Sequence, residues 1–159
     1  MELTMAKKTK AKKKSVSMES YQVEVNDWEI YYHFGIAPKG VIEGVYWEGA
    51  HLILLGRLIS PTLKTASKAR IEINPDPQLD DHWQSKPTII SAKATGWMEI
   101  SRGDDKLIFY CSVPSHSLTY LTLAAQSGKI RNASITGTKL KWRQGRISHL
   151  SLSTHKEDE

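Results

Sequence analysis

Cysteine and long hydrophobic runs are scarce in this chain of 159 residues. The single cysteine, Cys111, excludes an internal disulfide framework and every multi-cysteine zinc pattern. The longest strictly aliphatic run covers residues 52–55, far short of the roughly 20 apolar residues of a membrane-spanning helix. The basic N-terminus lacks the apolar stretch of a secretory signal. We therefore expect a cytoplasmic protein with no membrane partner.

Motifs for phosphate binding and for catalysis are also missing. The chain has no GxxxxGK(S/T) or GxGxxG loop, no glycine-flanked serine elbow and no His-Glu-x-x-His element. Cys111, Ser112, Ser115 and His116 lie close in sequence, and a cysteine–histidine pair supports acyl transfer when the thiol is exposed. Cys111 alternates with Phe109 and Val113, however, which favours a core position. The sequence predicts no catalytic residue.

A polar loop with several acids is the remaining candidate for a metal site. It contains Asp76, Asp80, Asp81, His82 and Trp83, but its spacing matches no EF-hand. Prolines at positions 75, 77 and 87 make the segment stiff and non-helical. We expect a lid or a capped turn here, and we predict neither a metal nor a cofactor.

What the chain does have is positive charge, and that charge is unevenly placed. The first fourteen residues hold six lysines against one acid, a net charge of +5 that equals the formal charge of the whole chain. Like charges repel each other and bury no apolar area, so residues 1–18 are predicted to be a disordered arm. Residues 19–155 then form a single β-rich domain, followed by an acidic tail at 156–159. The lysines are Lys7, Lys8, Lys10, Lys12, Lys13 and Lys14.

A second basic region lies inside the domain. No acid occurs between Lys106 and Lys156, although the same stretch holds eight basic residues. If residues 139–153 include two strands, period-two alternation places Lys139, Lys141 and Arg143 on one face, and Leu140 and Trp142 on the core face. The predicted anion-binding residues of the domain are Lys129, Arg131, Lys139, Lys141, Arg143 and Arg146. An ordinary solvated sheet face defended by lysine is the alternative.

Alternation of apolar and polar residues predicts about ten strands in successive hairpins, with one short helix at 115–127. Asn26-Asp27, Glu48-Gly49, Arg102-Gly103-Asp104 and Gln144-Gly145 are the expected turns. The fold class is therefore mainly β, an antiparallel sandwich or barrel. The predicted strands cover residues 21–25, 28–36, 41–47, 50–60, 68–74, 88–101, 105–113, 129–138 and two strands within 139–153.

Five tryptophans are many for a chain of this length. Trp28 and Trp142 alternate with apolar positions, so we predict that both pack in the core. Other aromatic residues are candidates for stacking on bases or sugars, although packing against loops or a subunit interface is the commoner role of such residues. These candidates are Tyr31, Tyr46, Trp47 and Trp83.

Together these features predict a non-catalytic binding domain. Its expected partner is nucleic acid or another anionic surface, bound with little sequence specificity through the lysine arm and the basic C-terminal hairpin. The alternative is a structural or assembly protein that acts through homo-oligomeric or other protein contacts. A third hypothesis is a carbohydrate-binding domain or an enzyme that uses exposed tryptophans.

Overall fold

A computed structural model describes residues 16–36, 46–80 and 95–154. Seven strands form a closed barrel in the order β1-β2-β3-β5-β4-β7-β6. Strands β3 and β5 run parallel, and the other pairs are antiparallel. The elements are β1 (Met18–Ile36), β2 (Tyr46–Ser60), β3 (Lys68–Pro75), β4 (Gly96–Ile100), β5 (Lys106–Val113), α1 (Ser115–Gln126), β6 (Asn132–Thr138) and β7 (Gln144–Ser153).

The predicted fold class is confirmed at the level of a mainly β chain with one helix. About ten strands were expected where the described part of the chain has seven, and a closed barrel replaces the choice between sandwich and barrel. The helix was predicted to within one residue. The predicted turn at Arg102-Gly103-Asp104 does separate β4 from β5.

Two predicted turns lie inside long strands, and both predictions are wrong. Asn26-Asp27 falls in β1, where the register with β2 shifts between Val25 and Asp27. The extra residue forms a β-bulge, which bends a strand without ending it. Glu48-Gly49 falls in β2, opposite Phe34 and His33 of β1. Polar residues in both places mark an irregular or exposed part of a strand rather than a reversal of the chain.

Alternate side chains of β3, β4, β5 and β6 fill the barrel. Phe109 of β5 is fully buried, and its ring meets the edge of Tyr21 from β1 at a centroid distance of 5.7 Å. Helix α1 contributes Leu118 and Ala125 to the same core. The helix connects the end of β5 to the start of β6, so it lies against that end of the barrel. In the part of the chain that the structure describes, no helix has the length and apolarity to cross a membrane.

Cys111 belongs to this core, as predicted, and its burial has a testable chemical consequence. Burial raises the pKa of the thiol from 9.0 to about 12, because a thiolate is poorly solvated inside the barrel. We expect no reaction of the native protein with Ellman's reagent at neutral pH, and stoichiometric reaction in denaturant. Above pH 9 the unfolded chain loses the thiol proton first, so this group lowers the free energy of unfolding between about pH 9 and 12. Rapid labelling of the native protein would contradict the assignment.

Candidate nucleic-acid interface

Strand pairing brings basic residues from separate parts of the chain to one end of the barrel. Lys68 and Lys106 are opposite each other where β3 and β5 begin. Glu99 near the end of β4 pairs with Gln144 at the start of β7, which places the β4–β5 and β6–β7 turns at this end. We call it the basic end. Its cationic residues are Arg57, Lys64, Lys68, Arg102, Lys106, Lys139, Lys141, Arg143 and Arg146.

The chain enters the barrel at the same end. Met18 pairs with Thr138, and the backbone N–H of Lys139 donates to the carbonyl of Ser17 at 2.9 Å. The six lysines of the predicted arm precede this point in sequence but lie outside the described residues, as does Lys156. In sequence, the lysines closely precede Val16, the first described residue, which lies at the basic end.

The segment around residue 142 is a tight turn, so the predicted strand through residues 139–143 is wrong. Strand β6 ends at Thr138 and β7 begins at Gln144. Lys141 and Gln144 exchange two backbone hydrogen bonds, of 2.8 and 3.0 Å. The two residues between them have φ values of 53° and 71°, the positive angles of a type I′ hairpin turn. The expected face of Lys139, Lys141 and Arg143 is not formed, and Gln144-Gly145 is not the turn.

Arg143 holds this turn against the end of β4. Its guanidinium Nε donates to the carbonyl of Ile100 at 3.2 Å, and Nη2 donates to the carbonyl of Ser101. The N–H of Ile100 donates back to the carbonyl of Arg143 at 2.9 Å. Arg143 is therefore engaged with the main chain. Lys139 and Lys141 are exposed, and neither takes part in the two ion pairs found within the described residues.

Trp142 lies at the tip of the turn and was wrongly predicted to be in the core. Its side chain is 88% exposed, because strand alternation does not continue through a turn. A large ring in water between two cationic neighbours, Lys141 and Arg143, contributes little to the packing of the fold. The positive φ adds a conformational cost for a residue with a large side chain.

A groove of about 1040 Å³ lies beside this turn. Its lining combines apolar and cationic residues. The apolar residues that line it are Val16, Met18, Trp97, Leu140 and Ile147, and the cationic residues are Lys139, Lys141 and Arg146. Such a surface accommodates flat apolar groups and negative charges together.

Trp97 supplies the aromatic surface of the groove. Its ring stacks on Tyr110, with 4.3 Å between centroids and 16° between planes, yet 42% of the residue stays exposed. The register places Trp97 between Tyr110 of β5 and Arg146 of β7. Burial, and then the charges of Glu72 and Glu99, raise the pKa of Tyr110, so its hydroxyl stays neutral. Tyr110, Trp97 and Arg146 thus lie side by side on neighbouring strands, as two stacked neutral rings next to a cation.

Sequence reasoning missed Trp97, although a signal was present. Met98 and Ile100 are buried on β4, so alternation directs Trp97 outward. Assigning a face to the predicted strand 88–101 would have identified the residue. Its stack with Tyr110 depends on the pairing of β4 with β5, which the hairpin prediction already contained.

Several predicted site residues lie away from the basic end. Lys129 and Arg131 lie between α1 and β6, at the opposite end of the barrel. Tyr31 is exposed, as predicted, but it lies on β1 far from the groove and stacks on His51. Tyr46 and Trp47 belong to the backbone of β2, but their side chains lie outside the described residues, as does Trp83.

The acids of the polar loop form caps where they are described. Asp76 Oδ1 accepts from the N–H of Gln78 at 2.9 Å, and Asp80 Oδ1 accepts from the N–H of Ser115 at the start of α1. Asp81, His82 and Trp83 lie outside the described residues. Over residues 16–36, 46–80 and 95–154, no group of three or more histidine, cysteine, aspartate or glutamate residues is arranged to hold a metal.

Comparison of the chain with protein-family models, curated proteins and solved structures found no match. The groove, its aromatic rings and its cations are the features of the molecule that bear on function.

Proposed function

We propose that this protein is a non-catalytic, cytoplasmic binding protein for single-stranded nucleic acid, and that the basic end is its binding surface. The observation behind the proposal is the placement of two exposed tryptophans, Trp97 and Trp142, next to cations that have no acidic partner in the described ion pairs. Proteins that bind single strands combine aromatic rings, on which bases stack, with cations that follow the phosphates.

A single strand fits the groove better than a duplex. Base stacking on Trp97 requires an unpaired base, since the faces of paired bases are covered by their neighbours in the duplex. Lys139, Lys141 and Arg146 lie along the same groove, where they meet phosphates. The lysine-rich segment adds attraction at long range that depends on salt. Because phosphate contacts position a strand without reading its sequence, we expect weak sequence specificity.

A pair of charge-matched double variants tests the binding surface. We expect Lys139→Ala with Lys141→Ala to weaken binding of a labelled oligonucleotide of about 20 nucleotides by roughly tenfold at about 0.1 M salt. The slope of log K against log salt should fall by roughly 0.7 for each lysine that binds a phosphate. Lys129→Ala with Arg131→Ala removes the same charge from the opposite end and should change little. Fluorescence anisotropy measures both, and equal losses would contradict the proposal.

Replacing the stacking ring distinguishes single strands from duplexes. We expect Trp97→Ala to weaken single-strand binding by about tenfold or more, because stacking on an aromatic side chain contributes about 1–3 kcal/mol per base. Duplex binding, which rests on charge, should be nearly unchanged. Tyr120→Ala is the control, since Tyr120 is an exposed aromatic residue of α1 away from the groove. Preference for duplex, or binding indifferent to salt, would overturn the proposed function.

A further inference from the structure

The β1–β2 hairpin continues beyond the barrel, at the end opposite to the basic end. Strand β6 pairs with β1 only as far as Glu24, and β3 pairs with β2 only from Leu52. Among the residues that the structure describes, 29–36 therefore pair only with β2, and 46–51 pair only with β1. We call these two segments the hairpin arm. Two-stranded ribbons are marginally stable alone in water, so an arm of this kind gains from further paired strands.

One face of the hairpin arm is the continuation of the barrel core. Trp28 and Ile30 lie opposite Leu54 and Leu52, both fully buried, and the same face then continues through Tyr32. Outside the barrel this face keeps much of its surface in solvent: Ile30 is 46%, Tyr32 64% and Phe34 61% exposed. Contiguous exposed apolar surface on a folded chain marks an interaction site.

The other face of the arm is also aromatic. Tyr31 is half exposed, and its ring stacks on His51 with 5.3 Å between centroids. On the core face, the hydroxyl of Tyr32 donates to Glu48 Oε1 at 3.0 Å. These contacts fix the rings in place before any partner arrives, which lowers the entropic cost of binding.

Charge argues against nucleic acid as the partner of the arm. Its formally charged residues are Glu29 and Glu48, and its two segments contain no lysine or arginine. In sequence, the lysine-rich segment of the same chain closely precedes Ser17 and Met18, which lie at the opposite end of the barrel. The edge of β1 over 29–36 also lacks proline and lysine, the residues that usually prevent a strand from pairing with another chain.

We propose that the hairpin arm binds the hairpin arm of a second copy of this chain, forming a two-fold dimer in which the two β1 edges pair antiparallel. With Tyr32 opposite the partner's Tyr32, Ile30 faces the partner's Phe34 and Glu29 faces the partner's Gly35. No like charges are then directly opposed, and the apolar faces join into one four-stranded surface. Both basic ends point away from the contact and stay accessible.

The area available fits a reversible dimer. The side chains of the arm that are roughly half exposed are Ile30, Tyr31, Tyr32 and Phe34. At about 200 Å² for each side chain, they supply about 400 Å² of exposed surface per chain. Edge pairing covers only part of this surface, so about 800 Å² is an upper limit for what two chains bury from these side chains, to which backbone pairing adds. Specific interfaces begin near 1,000–1,200 Å² in total. Dimerisation should accordingly depend on concentration rather than be permanent.

Sedimentation velocity of the full chain tests the dimer. We expect a monomer–dimer equilibrium that shifts toward monomer by tenfold or more in Tyr32→Lys, which places two like charges opposite each other. Tyr120→Lys, at an exposed position of α1, should leave the monomer–dimer equilibrium unchanged. Circular dichroism confirms that both variants fold. Monomer at every concentration up to about 0.5 mM, the weak end of specific binding, would overturn the proposal.

Salt and cross-linking separate this dimer from a head-to-tail assembly, in which the acidic arm of one copy would bind the basic end of the next. Salt should leave the two-fold dimer intact, whereas it would dissolve head-to-tail oligomers. In an oxidising buffer, Tyr32→Cys should form a disulfide-linked dimer readily, because Cys111 is buried and the new thiols face each other. Tyr120→Cys should not. Salt-sensitive oligomers larger than a dimer, or equal cross-linking of the two variants, would contradict the two-fold arrangement.

Discussion

A Gly96→Ala variant will be less stable than the natural protein by about 3 kcal/mol or more. Gly96 opens β4 with a φ of +129°, a conformation that side chains of L-residues rarely adopt. A Cβ at this position would lie 2.0 Å from the carbonyl oxygen of Tyr110 and 3.2 Å from Cα of Cys111. Both atoms belong to the backbone of β5, so relief requires moving one strand away from the other.

The matched control is Gly103→Ala in the β4–β5 turn. Gly103 also has a positive φ, +88°, but nothing lies within 4 Å of a Cβ built there. This variant pays only the conformational cost, about 1–2 kcal/mol. Urea unfolding followed by tryptophan fluorescence gives both free energies. If the two alanine variants lose equal stability, the close approach of β4 to β5 is not as described.

Gly96→Ala should also affect the proposed binding site. Trp97 follows Gly96 directly, and its ring is placed by the pairing of β4 with β5. Displacing β4 would separate the rings of Trp97 and Tyr110. We therefore expect Gly96→Ala to weaken single-strand binding as well, under conditions where the variant is still folded, whereas Gly103→Ala should not.

Local sequence patterns predicted β3, β5 and α1 well, because the apolar residues of each element recur at one regular spacing and the end of each element is clearly marked. Residues 68–74 and 105–113 alternate strictly, and proline follows each strand closely. The long strands β1 and β2 were divided in error, since Asn26-Asp27 and Glu48-Gly49 have the composition of turns. Only the pairing between strands decides whether such a dipeptide bulges or turns. That pairing is non-local, as is the parallel contact of β3 with β5.

The residues of the candidate site were predictable only in part, because their positions also depend on how the strands pair. The acid-free stretch after Lys106 drew attention to Lys139, Lys141 and Arg146, which line the groove. It also included Lys129 and Arg131, which lie at the other end because β6 runs along the barrel between them and Lys139. Charge counted along a sequence does not distinguish the two ends of a strand. The basic end emerges only when strand directions are known.

Trp142→Asn will raise stability and lower affinity together. Trp142 has a φ of 53° at the first central position of a type I′ turn, where asparagine is strongly preferred. The ring is 88% exposed, so its removal loses little packing. We expect the free energy of unfolding to rise by about 1 kcal/mol. Single-strand affinity should fall by about fivefold or more, since one stacking surface is lost.

Arg143→Lys should lower the stability but leave the affinity nearly unchanged, so the two variants separate the two effects. Lysine keeps the charge but cannot reproduce the two guanidinium bonds to the carbonyls of Ile100 and Ser101. Stability should fall by about 1–2 kcal/mol, while the charge at the basic end is kept. Thermal unfolding and anisotropy titrations measure both quantities.

A loss of stability in Trp142→Asn would assign the ring a packing role, and unchanged affinity would remove it from the interface. A gain in stability with a loss of binding would show that a strained residue is kept at this turn for what it binds.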